Sequence, residues 1–374
     1  MIKFLLPTLF AFVSLQSFSQ PPQTNNSNSN GAVINANQPI VLDSTHVFLK
    51  QENVSGTDGI EQGYSKKNAI LQEEINSYKL KKSSVKRNSQ SRSASQEDQL
   101  ELREKVTNIK GLAQTSIDLI EANILYYDEG NYDASRAPYL IEAMRLNPNH
   151  VEGIKLWLAN SMVIGDTITA SKVLAQMDTL GLIPEAMRCY AADLIASVPN
   201  NTTLITHGEL DTYCAFNEQL LKHRNTIEVI SLDLIQSPQY RELLLKRGYS
   251  IPVQPNVNIA YLGDLIRTNP NRVFAFSMTI PSEYLIQFEE DMVPNGLVFL
   301  YPNTLNENQI LSNNESFLDS FTYMDCGQEP EQSIAVLKEN YLPMILTVET
   351  LNTDKSRAKR SKIESKKLKL RKKN

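Results

Sequence analysis

Hydrophobic residues follow two different periods in two parts of the chain. Between residues 100 and 127 they recur every three or four positions, as at Leu102, Val106 and Ile109, which predicts amphipathic helices. From Val198 onward, short apolar runs rich in β-branched residues alternate with stretches of helical spacing. Strands that alternate with helices form a mostly parallel sheet with helices on both faces. The sequence therefore predicts the α/β fold class, with an N-terminal helical region followed by a mostly parallel α/β sheet domain.

The same apolar runs and helical stretches give the predicted limits of the strands and helices in the sheet domain, residues 198–352. Buried strands are predicted at 203–206, 227–232, 273–277 and 297–301, and helices at 213–223, 239–246, 259–267 and 282–291. A final helix is expected after Pro330. It should run past Pro343 with a kink, because proline lacks a backbone N–H.

Two turn motifs predict helical repeats within residues 97–197. Gly130-Asn131-Tyr132 is followed by Ala143 and Asn147-Pro148, and Gly165-Asp166 with Ala170 repeats the pattern 35 residues later. This spacing resembles the tetratricopeptide repeat, a pair of helices with a period of about 34 residues. Two repeats are fewer than such folds need, so the flanking helices are expected to act as caps. A surface of this kind favours binding of a protein partner.

The N-terminus has the pattern of a secretory signal peptide, residues 1–19. Met1-Ile2-Lys3 supplies a positive start, residues 4–15 are apolar, and Ser17-Phe18-Ser19 fits a small-x-small cleavage site before Gln20. The apolar run is shorter than the roughly 20 residues that span a bilayer, so no transmembrane segment is expected. The protein is predicted to be exported to the periplasm or cell envelope.

Two further segments lack the composition of a folded core. Residues 20–96 are dominated by Asn, Gln, Ser and Lys, which predicts a mostly disordered spacer with a transient helix at 60–80. Order should begin at Ser95, which with Asp98 resembles a capping box. Residues 355–374 contain eleven Lys and Arg against one Glu, a charge of +10, so residues 353–374 are predicted to be a basic disordered tail.

Charge and cysteine content exclude several classes of protein. The net charge of the chain is −5, so without its tail the body is strongly acidic, which argues against a nucleic-acid partner. Cys189, Cys214 and Cys326 are too few and too scattered for a structural zinc site, although one disulfide is open to them. No phosphate-binding loop, nucleophile elbow or paired metal motif is present, so neither a cofactor nor a metal is expected.

The candidate site lies where the first predicted strand ends, in the stretch 201–216. His207, Gly208, Glu209, Asp211 and Thr212 follow that strand, at the edge where parallel sheets bind ligands. A histidine with two carboxylates can bind a cation or position a hydroxylated ligand such as a sugar. The structural alternative is that Asp211 and Thr212 cap the following helix and that His207 is a core residue.

The sheet domain also resembles a known family over roughly residues 186–302. Gly208-Glu209-Leu210-Asp211-Thr212-Tyr213, then Gln219, Arg224, the strand at 227–232 and Tyr240 are similar to the soluble C-terminal region of bacterial membrane proteins related to protein O-mannosyltransferases. The runs 276–281 and 295–302 resemble that family's closing strands. The resemblance implies the α/β fold. The sequence departs from the family pattern at His207, Glu209 and Leu210. It also lacks the multi-span membrane part that should carry glycosyl transfer in that family.

Two functions remain open on these observations. The preferred hypothesis is a non-enzymatic envelope protein that uses the helical repeats, and the α/β domain as a second module, to bind a protein partner. The alternative is a sugar-binding protein or a glycosyl-transfer-associated enzyme that acts through the loop 207–213.

Overall fold

The computed structural model describes residues 58–88, 95–326, 335–352 and 363, so the predicted signal peptide lies outside the described residues. Within them the fold is mixed α/β, and its five strands form one sheet. The α-helices are α1 (Asp58–Asn88), α2 (Gln96–Leu112), α3 (Ser116–Glu129), α4 (Ala137–Leu146), α5 (Val151–Ile164), α6 (Thr167–Thr179), α7 (Glu185–Ser197), α8 (Glu209–Leu221), α9 (Pro238–Lys246), α10 (Ile259–Arg267), α11 (Ser282–Leu285), α12 (Glu307–Ser320) and α13 (Leu342–Leu351). The strands are β1 (Thr202–Thr206), β2 (Glu228–Ser231), β3 (Val273–Ser277), β4 (Val293–Asn295) and β5 (Val298–Tyr301).

Helix α1 occupies part of the segment predicted to be a disordered spacer. Leu71, Ile75 and Tyr78 are buried in a small core that they share with α2 and α3. Tyr78 also donates a hydrogen bond to Asp128 over 2.8 Å. The structure thus has a helix over Asp58–Asn88, where the sequence predicted a mostly disordered spacer with a transient helix at 60–80, and three apolar side chains at helical spacing pack it against α2 and α3. The rest of the spacer lies outside the described residues, apart from Ser95 and Gln96 at the start of α2.

Ser95 begins the next helix as predicted. Its hydroxyl accepts a hydrogen bond from the Asp98 backbone N–H over 3.1 Å, which caps the N-terminus of α2. This bond satisfies one of the amides that every helix start leaves without a helical partner.

The ends of helices α3, α4, α5 and α6 meet at the loop 147–150. His150 Nε2 lies 3.1 Å from Glu121 of α3, and its Nδ1 accepts from the Gly153 N–H of α5. Gln176, in the last turn of α6, donates to the Pro148 carbonyl oxygen over 2.8 Å. The hydrogen bond to His150 and the ion pair with Lys79 lower the pKa of Glu121 to about 2. These contacts confirm helices around the predicted turns, whereas the tetratricopeptide assignment itself stays a prediction.

The sheet is mixed, so the prediction of a mostly parallel sheet is only partly correct. Its strand order is β2-β1-β3-β5-β4. β1 pairs in parallel with β2 and β3, whereas β5 pairs antiparallel with β3 and β4. β4 has three residues, including Pro294, and was not predicted, because so short a run shows no periodicity. Gly296, at φ 63°, forms the turn between β4 and β5.

The helical region and the sheet domain share one hydrophobic core. Its buried residues run from Ile120 in α3 to Val348 in α13, and α5 contacts α9 while α7 contacts α8. The sequence predicted two consecutive regions without this joint core. No helix among the described residues is both long and apolar enough to cross a membrane.

Helix α7 ties the end of the described fold to its middle. Cys189 forms a disulfide with Cys326, and Asp193 accepts hydrogen bonds from Thr322, Tyr323 and Tyr341. At the other end of α7, the Ser197 hydroxyl accepts from the Leu297 N–H over 2.9 Å and its carbonyl oxygen accepts from Asn295. One helix therefore fixes both the β4–β5 turn and the C-terminal segment.

The C-terminal segment departs from the prediction in two places. A 3-10 helix (Val336–Tyr341) leads into α13, and Pro343 lies in the first turn of α13 rather than at a kink. Proline is favoured there because the first helical amides have no partner within the helix. The predicted basic tail lies outside the described residues except for Ile363, which is 5% exposed and belongs to the main core.

Candidate functional site

The candidate residues lie where the loops after β1 and β3 meet. β1 lies between β2 and β3 in the sheet. The chain runs from β1 to β2 on one side and then crosses to β3 on the other side. Sheets of this kind bind ligands at such a switch point, beyond the carboxyl ends of the strands. The geometry thus places the predicted loop at the position expected for a ligand site.

Asp211 fills the space between these two loops. Its Oδ2 accepts from the Thr279 hydroxyl over 2.8 Å and from the His207 backbone N–H over 3.2 Å, and its Oδ1 accepts from the Ser277 hydroxyl over 3.2 Å. The side chain is 5% exposed. Both oxygens are engaged, and the carboxylate joins the β1 and β3 loops. Such bonding agrees with the structural alternative, in which Asp211 has its role within the fold. The donors are the His207 amide and two hydroxyls, however, and not the amides of the following helix that the sequence predicted.

The helix that contains Asp211 begins earlier than predicted. α8 starts at Glu209, so Glu209, Asp211 and Thr212 lie in its first turn rather than in a loop. Gly208 precedes it at φ 87°, a conformation that favours glycine. Acidic side chains are stabilised at helix N-termini, which explains two carboxylates in this turn.

Burial raises the pKa of Asp211 to about 6, from an ordinary value of 3.8, and the nearby Asp233 carboxylate acts in the same direction. The three hydrogen bonds oppose this shift without cancelling it. Because the folded-state pKa is the higher one, stability from this group is present below about pH 4 and is lost as the pH rises through about 6. Asp211 therefore costs the folded state stability at neutral pH.

We expect Asp211→Asn to remove this pH dependence. Relative to the wild type, the free energy of unfolding of the variant should rise by about 2 kcal/mol between about pH 4 and pH 7, since one pKa unit corresponds to about 1.4 kcal/mol. Urea unfolding at several pH values measures the difference. The exposed Glu283→Gln serves as the matched control and should follow the wild-type curve. If the free energies of unfolding of Asp211→Asn and the wild type changed in parallel with pH, the raised pKa of Asp211 would be contradicted.

Gly208 and Thr212 are held by the end of β2. The Gly208 N–H donates to Asp233 Oδ2 over 2.7 Å. The Thr212 hydroxyl lies 2.9 Å from the Thr206 hydroxyl and donates to Ser231 over 3.3 Å. Thr212 therefore connects β1, β2 and α8, which is a packing role.

His207 and Glu209 lie at the half-buried margin of this cluster. Burial raises the pKa of the Tyr132 hydroxyl, in the turn after α3, and the charges of Glu209 and Asp233 act in the same direction. Tyr132 has φ 66° in a left-handed conformation that is uncommon for a bulky residue. The candidate site therefore includes a side chain from the helical region.

Neither a cluster of metal ligands nor an ionised cysteine is found at the candidate site within the described residues. Within the described residues, no group of three or more His, Cys, Asp and Glu side chains could hold a metal ion. Cys214, in the same helix, is buried, and burial raises its pKa to about 12, which disfavours the reactive thiolate. The structure thus brings together Gly208, Asp211 and Thr212 as a connected network.

Sequence reasoning missed four members of the cluster: Tyr132, Asp233, Ser277 and Thr279. Asp233, Ser277 and Thr279 each lie at or just after the carboxyl end of a predicted strand, so strand order alone would have indicated them. Tyr132 reaches the site only because the helical region packs on the sheet domain. Nothing in the local sequence signals that contact.

The resemblance to the mannosyltransferase-related family rests on the quoted residues and remains a prediction. Comparison of the chain with protein-family models, with curated protein sequences and with solved structures finds no match.

Proposed function

We propose that the protein is an exported cell-envelope protein that binds a protein partner through the helices α3–α6 and carries out no catalysis. The observation that carries the proposal is a cluster of exposed apolar side chains where these helices meet. Four large side chains, each between 38% and 63% exposed, lie next to the loop 147–150 or one helical turn from a residue that contacts it: Ile117, Leu146, Val151 and Leu180. We call these four residues the apolar end.

The contacts at the loop 147–150 argue that the apolar end is one surface. Ile117 lies one helical turn before Glu121, which contacts His150, and Leu180 lies one turn after Gln176, which contacts Pro148. Leu146 and Val151 directly flank the loop. Grouped apolar side chains on a surface mark interaction sites, whereas isolated ones are ordinary. The two polar contacts bring separate helices to one place.

Two further observations support the proposal. Asp211 and Thr212 are engaged in bonds within the fold, which agrees with a structural role for these two side chains. The disulfide between Cys189 and Cys326 fits an oxidising compartment, since such bonds are rare in reducing ones. Export itself stays a prediction from residues 1–19.

Photo-crosslinking in the cells that make the protein tests the apolar end. A benzophenone amino acid at Ile117 or Leu180 is expected to capture one reproducible partner. The same group at Leu245, which is 53% exposed on α9, is the matched control and should not. Leu146→Glu with Val151→Glu should abolish capture at Ile117 while leaving the thermal unfolding temperature within about 2 °C, because surface changes cost little stability.

Two results would count against the proposal. One is equal capture of the same proteins at Leu245 and at Ile117. The other is capture at Ile117 that survives both glutamate substitutions in a correctly folded protein.

A second candidate function is sugar binding at the switch point. It is favoured by one observation, the position of residues 207–212 at the switch point beyond the carboxyl edge of the sheet, where such sheets bind ligands. A thermal-shift series with monosaccharides and disaccharides tests it. Stabilisation that is lost in Glu209→Gln and Tyr132→Ala would favour this candidate over the preferred one.

A further inference from the structure

Helix α1 packs on α2 and α3 through one stripe of apolar side chains. Leu71, Ile75 and Tyr78, at positions i, i+4 and i+7, are each at most 4% exposed. They share the small core with five side chains of α2 and α3: Leu102, Val106, Ile109, Ala122 and Leu125. Amphipathic helices bind apolar grooves on other proteins through anchors at this spacing. We call the surface of α2 and α3 under these anchors the α2–α3 groove.

Both sides of the α2–α3 groove carry carboxylates that pair with lysines of α1. On the α2 side, Lys81 pairs with Asp98 over 2.8 Å, and on the α3 side Lys79 pairs with Glu121 over 2.7 Å. Helix α3 has four Asp and Glu and no Lys, Arg or His. Residues 66–85 of α1, in contrast, have five Lys and two Glu. The groove and its occupant are therefore complementary in charge.

Asp128, near the end of α3, adds polar contacts to the last anchor. Its carboxylate accepts a hydrogen bond from the Tyr78 hydroxyl over 2.8 Å, and its backbone carbonyl oxygen accepts from Lys82 over 2.8 Å. The tyrosine thus places its ring in the apolar floor and its hydroxyl on an acidic side chain. This combination selects a helix with a tyrosine at the third anchor position and a lysine one turn later.

Release of α1 leaves the main core closed. Within the described residues, no side chain of α1 belongs to that core, and all three anchors belong to the small one. Helix α3 separates the two, since Ile120 and Ile124 face the main core while Ala122 and Leu125 face the small one. A helix as polar as α1 owes its stability to packing and not to its own propensity. Undocking therefore costs only the contacts of the groove.

We propose that the α2–α3 groove is a binding site for lysine-rich amphipathic helices with anchors at i, i+4 and i+7, and that α1 is its exchangeable resident. A helix of this chemistry on another molecule displaces α1 and takes over its contacts. Tethering gives α1 an effective concentration in the millimolar range, so the groove stays closed until a tighter or more abundant helix is present. The site is additional to the apolar end, with which it shares no residue.

Fluorescence anisotropy with a labelled peptide of residues 66–85 tests the proposal on the full chain. Leu71→Asp with Ile75→Asp removes two anchors from the resident helix and opens the groove. This chain is expected to bind the peptide at least tenfold more tightly than the wild type, in which α1 competes. Ile70→Asp with Leu80→Asp is the matched control, because both side chains are exposed on α1, and it should bind the peptide as weakly as the wild type.

Changes in the peptide separate groove binding from attraction between charges alone, and they leave the fold of the chain untouched. A peptide with Lys79→Glu and Lys82→Glu should bind the opened chain at least threefold more weakly, a modest loss because exposed ion pairs contribute little. Lys66→Glu with Lys67→Glu, at positions exposed in α1, is the control and should change binding less than twofold. Equal weakening by both pairs of substitutions would overturn the proposal.

Hydrogen exchange of the wild-type chain tests release of α1 without any substitution. Amides of residues 71–82 are expected to exchange together and at least tenfold faster than those of α5 and α7, because α1 opens without the main core. Adding the unlabelled peptide in excess should speed this exchange further, since it fills the vacated groove. Exchange of α1 only in step with α5 and α7, or an opened chain that is folded and binds no peptide, would overturn the proposal.

Discussion

Replacing Asp193 with alanine is expected to lower the free energy of unfolding by about 4 kcal/mol, because several buried donors would lose their acceptor at about 1–3 kcal/mol each. Asp193 lies on α7 and is 4% exposed. It accepts from the Thr322 N–H and hydroxyl over 3.0 and 2.9 Å, from the Tyr323 N–H over 3.1 Å and from the Tyr341 hydroxyl over 2.8 Å. Four donors therefore converge on one buried carboxylate.

The size of this effect follows from the donors that alanine would leave behind. Each buried donor without an acceptor costs about 1–3 kcal/mol. Burial raises the pKa of Asp193, and the hydrogen bonds from Thr322, Tyr341 and Tyr323 act against that rise. The bonds therefore offset part of the cost of burying the carboxylate, and alanine would remove the acceptor without supplying another.

The matched control for this prediction is Glu185→Ala on the same helix. Glu185 is exposed and pairs with Arg188 at the surface, so its loss should change the free energy by less than about 0.5 kcal/mol. Chemical unfolding of both variants measures the contrast. An Asp193→Ala protein as stable as Glu185→Ala would show that residues 322–341 do not depend on this carboxylate.

Loss of the disulfide between Cys189 and Cys326 is expected to cost about 4 kcal/mol. The bond closes a loop across a sequence separation of 137 residues, and long loops gain most from closure because the cross-link restricts the unfolded chain. The double variant Cys189→Ala, Cys326→Ala should unfold at correspondingly lower urea concentration. Wild-type protein should show the same loss when it is unfolded in the presence of a reducing agent.

Counting thiols provides the control for this experiment. Cys214 is buried with a raised pKa, so folded, oxidised protein should show almost no reaction with a thiol reagent. Unfolding without reductant should expose one thiol, and unfolding with reductant should expose three. Three reactive thiols in unfolded, unreduced protein would rule out the disulfide.

The sequence predicted the strands of the sheet domain well because each is a continuous apolar run. β1, β2, β3 and β5 lie within one residue of their predicted bounds. Helix α10 matches its predicted range, 259–267, because its apolar positions keep a strict helical period. Such elements are specified by local pattern, which is the part of a fold that periodicity records.

The elements that were missed depend on contacts between distant residues. α1 has a polar composition, and its buried apolar side chains among the described residues are Leu71, Ile75 and Tyr78. β4 is defined by its pairing with β5 and not by its own three residues. Neither feature is present in a local window, so neither could be predicted from one.

The candidate site shows the same limit. The position of residues 207–212 at the carboxyl edge of the sheet followed from strand order, and the structure has them there. The hydrogen-bond partners of Asp211 were missed, because Ser277 and Thr279 lie 66 and 68 residues away in the chain and come close only through the pairing of β1 with β3. Whether these side chains bind a ligand stays a prediction, and the series with Glu209→Gln tests it.

The contacts of α7 also constrain when the protein can finish folding. Its bonds to Thr322, Tyr341 and Asn340 join residues between 129 and 150 positions apart. Contacts of such high order form slowly, because a long loop must close before they contribute. Because synthesis runs from the N-terminus, α7 is made well before Thr322, Asn340 and Tyr341. Its buried face lacks these partners until they have been synthesised. Completion of the core therefore depends on synthesis of residues 322–341, well after α7 itself has been made.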